Sequence, residues 1–127
     1  MYQIDNQSRQ AVYEQIIEQV ERYVLLGAIT AGEKMPSVRN LSIQLSVNPN
    51  TVQRAYTDLE RFGVLAIAPA RGAFVAEGAK ALLEERRTTV AQTQLKELLT
   101  DLKQLGLSKD EILAFVQNAL EEAGKND

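Results

Sequence analysis

The chain contains no cysteine and no histidine. Disulfides, thiolate zinc sites, cysteine or histidine nucleophiles and imidazole bases are excluded with them. Its aspartates and glutamates are scattered among lysines and arginines on helical faces, without the paired, pocketed carboxylates that acid/base catalysis needs. No enzyme activity, no cofactor and no metal site are therefore expected. Apolar runs fall well short of the roughly 20 residues that span a bilayer, and Met1-Tyr2-Gln3-Ile4-Asp5 lacks the charged and apolar regions of a signal peptide. A cytoplasmic protein without membrane contact is expected. At 127 residues the chain can bury one modest core with an appended element.

A strong positive charge is also missing, since the net charge is −3. Its distribution matters more than its sum. Thr30 to Val75 carries five basic residues (Lys34, Arg39, Arg54, Arg61, Arg71) against three acidic ones (Glu33, Asp58, Glu60), a net +2. Ala79 to Asp127 carries seven basic and nine acidic residues, a net −2. Affinity of one chain for a polyanion is then modest and salt-sensitive, which favours a dimer that doubles the contacts.

What is present begins with a helix capped by Ser8 and running to about Leu26, with Val12, Tyr13, Ile16, Ile17, Val20 and Val24 on one stripe and Gly27 as its end. Ahead of it, Tyr2 and Ile4 alternate with polar residues and fit a short extended arm. After a loop holding Gly32 and Pro36, Ser37 caps a short helix to about Leu45, and Ser46-Val47-Asn48 form a turn. Asn48 caps a third helix with Pro49 at its first position, burying Val52, Ala55, Tyr56 and Leu59 at helical spacing before Gly63. Val64 to Ile67 and Ala73 to Ala76 read as strands of a hairpin tipped by Arg71-Gly72.

Past Glu77-Gly78 the composition turns to Leu, Glu, Lys and Gln without proline. A helix from about Ala79 to Leu105 places Leu95, Leu98, Leu102 and Leu105 at spacings of three, four and three, the seam of a helical pairing. Gly106 breaks it, and Ser108-Lys109-Asp110-Glu111 is a capping box for a last helix whose Ile112, Leu113, Val116 and Leu120 share one side. Two helices cannot close a substantial core alone, so they are expected to pack on a second copy.

At 100° per residue, Asn50, Arg54, Thr57 and Arg61 lie opposite buried Val52, with Gln53 beside them. Amides and guanidinium groups near a helix N-terminus are what a recognition helix presents to base edges in the major groove. Solvated positions on an ordinary amphipathic helix have the same composition. The coincidence of a capped short helix, a three-residue turn and a basic hairpin tip favours the DNA reading. Arg39 fits a phosphate or base contact, or a salt bridge to Glu33; Arg71 beside Gly72 fits a wing reaching the minor groove, or a plain surface charge.

Met35-Pro36-Ser37-Val38-Arg39-Asn40-Leu41, the helix Asn48 to Leu59, Phe62-Gly63-Val64-Leu65 and Arg71-Gly72-Ala73-Phe74-Val75 together resemble the GntR family of bacterial transcription regulators. Val12-Tyr13-Glu14-Gln15-Ile16 and Leu105-Gly106-Leu107-Ser108 look like its small YtrA-like branch. The resemblance implies a winged helix-turn-helix and a symmetric dimer, usually a repressor, on a palindromic operator. The family's DNA-contacting positions carry over to Arg39, Asn50, Thr51, Gln53, Arg54 and Gly72. Ala73 stands where the family often has Thr, and Gln53 where other branches have Arg.

The expected fold is mainly α with a small β hairpin: a winged helix-turn-helix over residues 1–78 and a two-helix dimerisation segment over 79–127. Candidate DNA-binding residues are Ser37, Arg39, Asn48, Asn50, Thr51, Gln53, Arg54, Thr57, Arg61, Arg71 and Gly72. Candidate dimerisation residues are Leu95, Leu98, Leu102, Leu105, Ile112, Leu113, Val116 and Leu120. The expected partners are double-stranded DNA and a second copy of the chain. Two alternatives remain at this level: a winged-helix protein-interaction module, and a sensor switched by a small-molecule effector at the dimer interface.

Overall fold

The computed structural model describes residues 1–125. It contains five helices and one hairpin in the order α1 Val12–Leu26, α2 Val38–Leu45, α3 Pro49–Arg61, β1 Leu65–Ala68, β2 Gly72–Val75, α4 Ala79–Gln104 and α5 Lys109–Gly124. This is the expected winged helix-turn-helix followed by two helices.

Two compact units divide within α4, between Arg86 and Arg87. In the first, α1 contributes Ile16, Val20 and Val24, α2 contributes Leu41, and α3 contributes Val52, Ala55, Tyr56 and Leu59 to one continuous core. Val64, Leu65, Ala73 and Val75 of the hairpin close it, together with Ala79 and Leu83 from the opening turns of α4. Each fully buried aliphatic side chain stabilises the unit by roughly 1.5–3 kcal/mol. In the second unit the remainder of α4 and α5 bury Ile112 and leave a groove of about 320 Å³ lined by Leu95, Leu99, Lys103, Lys109, Leu113 and Val116 as well.

The local start and stop signals of α2, α3 and α5 act as their chemistry requires. The Ser37 hydroxyl accepts from the Asn40 amide at 3.0 Å, and the Asn48 Oδ1 accepts from the Asn50 amide at 2.8 Å. Ser108 and Glu111 complete both arms of the capping box, each at 3.1 Å. The turn between α2 and α3 places Ser46 at φ 55, the left-handed region that side chains seldom occupy.

Three expectations are corrected. Ser8 does not cap α1: the helix starts at Val12 after Ala11, which supplies no side-chain cap. The Ser8 hydroxyl instead takes the Gln10 amide at 3.1 Å in a local turn. The chain ahead of α1 is then held by Gln15, whose side chain accepts from the Asp5 amide and donates to the carbonyls of Asp5 and Gln10. Those bonds satisfy a buried amide and strap the N-terminal residues along α1. Gln19 repeats the arrangement with the backbone of Gln3, and the Tyr23 hydroxyl donates to the Met1 carbonyl at 2.7 Å.

The strands are displaced by one residue. Leu65 pairs with Val75 and Ala68 with Gly72, leaving Pro69, Ala70 and Arg71 as the connection. Val64, fully buried, donates its amide to the Leu59 carbonyl and so ends the helix rather than starting the strand, while its carbonyl still accepts from the Ala76 amide. Finally, the segment read as a plain loop before α2 adds a third rung to the sheet. Lys34 bridges Phe74, the Met35 amide donates to the Ala73 carbonyl, and the Val75 amide donates to the Glu33 carbonyl.

Candidate nucleic-acid interface

The buried side of α3 is pinned from below. The Tyr56 hydroxyl donates to the Pro36 carbonyl at 2.7 Å, tying the recognition helix to the chain entering α2. Burial pushes the Tyr56 phenol well above its ordinary value, with neighbouring Tyr2 adding to it. Tyr2 itself rises to about 12, chiefly through burial and then through Tyr23 and Glu33. Both phenols are part of the core: Tyr56 bonds the chain before α2, and Tyr2 reaches the Met35 sulfur.

The outer side of α3 separates into two flanks. On one, Asn50, Gln53 and Thr57 are exposed, and the Gln53 Nε2 donates to the Thr57 Oγ1 at 3.2 Å. On the other, the Arg54 guanidinium carbon lies 3.7 Å from the centroid of the Tyr13 ring on α1. Arg61, two turns further, pairs with Asp58 at 3.3 Å and leans over Phe62. All five side chains are exposed, but Arg54 and Arg61 also lie against aromatic rings, which the amide flank does not. Thr51 is only partly exposed, and Ser37 and Asn48 are engaged as caps.

Arg39 is exposed near the start of α2, and among the described residues it makes no ion pair with Glu33 or any other acid. Its backbone carbonyl accepts from the Ser42 hydroxyl at 2.7 Å. At the hairpin tip Arg71 and Gly72 are exposed. Gly72 has φ 115, and a Cβ there would sit 3.1 Å from the Lys34 Cε. The backbone conformation, one that L side chains rarely adopt, is what calls for glycine; the lysine tip is flexible and can give way.

Lys34 was missed as a site residue in the sequence. Nothing local places it at the wing; only its pairing with Phe74 does. With Arg71 it gives the hairpin two exposed cations without an ion-pair partner among the described residues.

In the second unit the candidate dimerisation residues do not form one strip. Leu95, Ile112, Leu113 and Val116 line the groove between the helices, where Leu99 joins them unforeseen. Leu98, Leu105 and Leu120 are exposed outside it, as is Phe115, and Leu102 is half-buried. Among the described residues no cluster of acidic side chains could hold a metal ion, and no helix is long and apolar enough to cross a membrane.

Comparison with known proteins assigns this architecture. Residues 12–75 match the bacterial regulatory proteins of the gntR family. The HTH-type transcriptional repressor YtrA of Bacillus subtilis (strain 168) is 38% identical over 117 residues, 92% of this chain and 90% of the relative. A transcriptional regulator from Oenococcus oeni superposes with a TM-score of 0.76 at 26% identity, covering 92% of this chain and 97% of that one. The DNA-binding domain of AraR in complex with operator ORE1 matches with a TM-score of 0.52 at 27% identity, over 57% of this chain and 89% of that one. Family and relatives are transcription regulators, not enzymes. A capped recognition helix, a glycine-dependent wing and two further helices thus make this chain a member of the GntR family of bacterial transcription regulators, with a DNA-binding domain and a likeness to YtrA.

Proposed function

We propose that the chain is a homodimeric repressor of a palindromic operator. Residues 1–78 read DNA and residues 79–127 dimerise. The observation that carries the reading is the exposed amide flank of α3 set in one unit with the unpaired cations Arg39, Arg71 and Lys34. Asn50 and Gln53 face base edges, Arg39 and the α3 N-terminus hold phosphates, and Arg71-Gly72 with Lys34 engage the backbone or minor groove beside them. Two relatives support it: YtrA is named a repressor, and the AraR domain is bound to an operator. Repression is steric, the bound dimer blocking polymerase.

Affinity for duplexes selected from a random library, measured at several salt concentrations, tests the reading. Each neutralised phosphate contributes about −0.9 to the slope of log K against log salt. A steep slope that becomes shallower by about one in Arg39→Ala is expected. A flat slope sinks the proposal and supports a protein-interaction surface instead. Repression is tested by placing a selected duplex across a reporter promoter, where expression must fall.

A further inference from the structure

Arg54 departs furthest from what its helical position implies. Its guanidinium stacks on Tyr13 in a groove of about 450 Å³ between α1 and α3, which Glu14, Glu18, Asp58 and Arg61 also line. A cation over an aromatic face in an acid-lined groove gains from both. A phosphate entering the same groove meets charge of its own sign. The opposite flank presents exposed Asn50, Gln53 and Thr57, and the acid that follows them, Glu60, accepts from the Ile67 amide of β1. Arg61, its side chain 68% exposed, makes a surface pair with Asp58 at 3.3 Å.

We propose that Tyr13 is a specificity-determining residue of α1: by stacking on Arg54 it withholds that guanidinium from DNA, so that base reading by α3 rests on Asn50, Gln53 and Thr57. This inference rests on the DNA reading above and specifies its chemistry. Amide side chains pair with the N6 and N7 of adenine, whereas arginine is the commonest reader of guanine. Half-sites therefore carry adenine under α3. Tyr13 touches no base itself; it is a positioning residue that acts through Arg54.

The test selects duplexes from a random library with the wild-type chain, R54A, Y13F and Y13L, then measures affinity for the selected duplex and for a random-sequence duplex. R54A is expected to select the wild-type bases at every position. Y13F keeps the ring and the wild-type ratio of the two affinities. Y13L frees Arg54 to bind phosphates anywhere, lowering that ratio about two- to five-fold. Adding R54A to Y13L restores the ratio, a rescue that a damaged fold does not give. A base preference that moves in R54A, or an unchanged ratio in Y13L, overturns the inference alone. A wild-type chain that selects no sequence removes the DNA reading and this inference together.

Discussion

At the scale of single residues, strain and burial leave measurable marks. Ser46 occupies the left-handed region at the turn into α3, a conformation costing roughly 1–2 kcal/mol for a residue with a Cβ. Ser46→Gly removes that cost and adds back chain entropy of about 0.5–1 kcal/mol. A net gain of about 0.5–1 kcal/mol follows, visible as a raised thermal midpoint; a lowered midpoint refutes it. Tyr56→Phe deletes the hydrogen bond to Pro36 and should cost about 1 kcal/mol in urea unfolding.

The same phenols set the alkaline limit. Their folded pKa values lie above the ordinary value of 10.0, Tyr2 at about 12 and Tyr56 higher still. The unfolded state therefore loses its phenolic protons first. Their contribution to stability is complete below pH 10; that of Tyr2 is lost as pH rises through about 12, and that of Tyr56 at still higher pH. Urea midpoints on the two sides of that window should fall, and fall less in Tyr56→Phe.

At the scale of elements, α5 depends on its start. Ser108 and Glu111 satisfy two helix-end amides reciprocally, and few buried contacts back them, since Ile112 alone on that helix is buried. Ser108→Ala should cost about 1 kcal/mol of helix stability. Circular dichroism should show helix loss confined to the second unit, while the first unit's melt stays in place. The caps at Ser37, Asn48 and Ser108 were legible in the sequence because they join residues two or three apart. Ser8 misled for the converse reason: what organises the chain there is Gln15, reaching back ten residues to Asp5. The wing's Lys34 and the Arg54–Tyr13 stack were equally hidden, because each depends on pairing across some 40 residues that no local spacing encodes.

For the whole molecule, surface composition is the deciding fact. Leu98 is 60% exposed, Leu105 77% and Phe115 67% in the isolated chain, an apolar surface that favours covering by a partner. Leu98→Glu combined with Phe115→Glu should shift sedimentation from dimer to monomer. Operator affinity should then fall on the order of 10², the loss expected when two tethered half-site contacts become one. A double variant that stays dimeric places the interface elsewhere. The seam was legible as a leucine repeat, but Leu99 and Phe115 were not, because only the placement of α4 and α5 in the second unit separates groove from outer face.

The strap formed by Gln15 and Gln19 gives the leading residues an unusual kinetic character. The amides of Gln3 and Asp5 are bonded to side chains of α1 at 2.8 and 2.9 Å, while Tyr2 lies buried in the core. Backbone outside helices and strands ordinarily trades its amide protons with solvent at once. Here deuterium uptake at Gln3 and Asp5 should be gated by opening of the whole first unit.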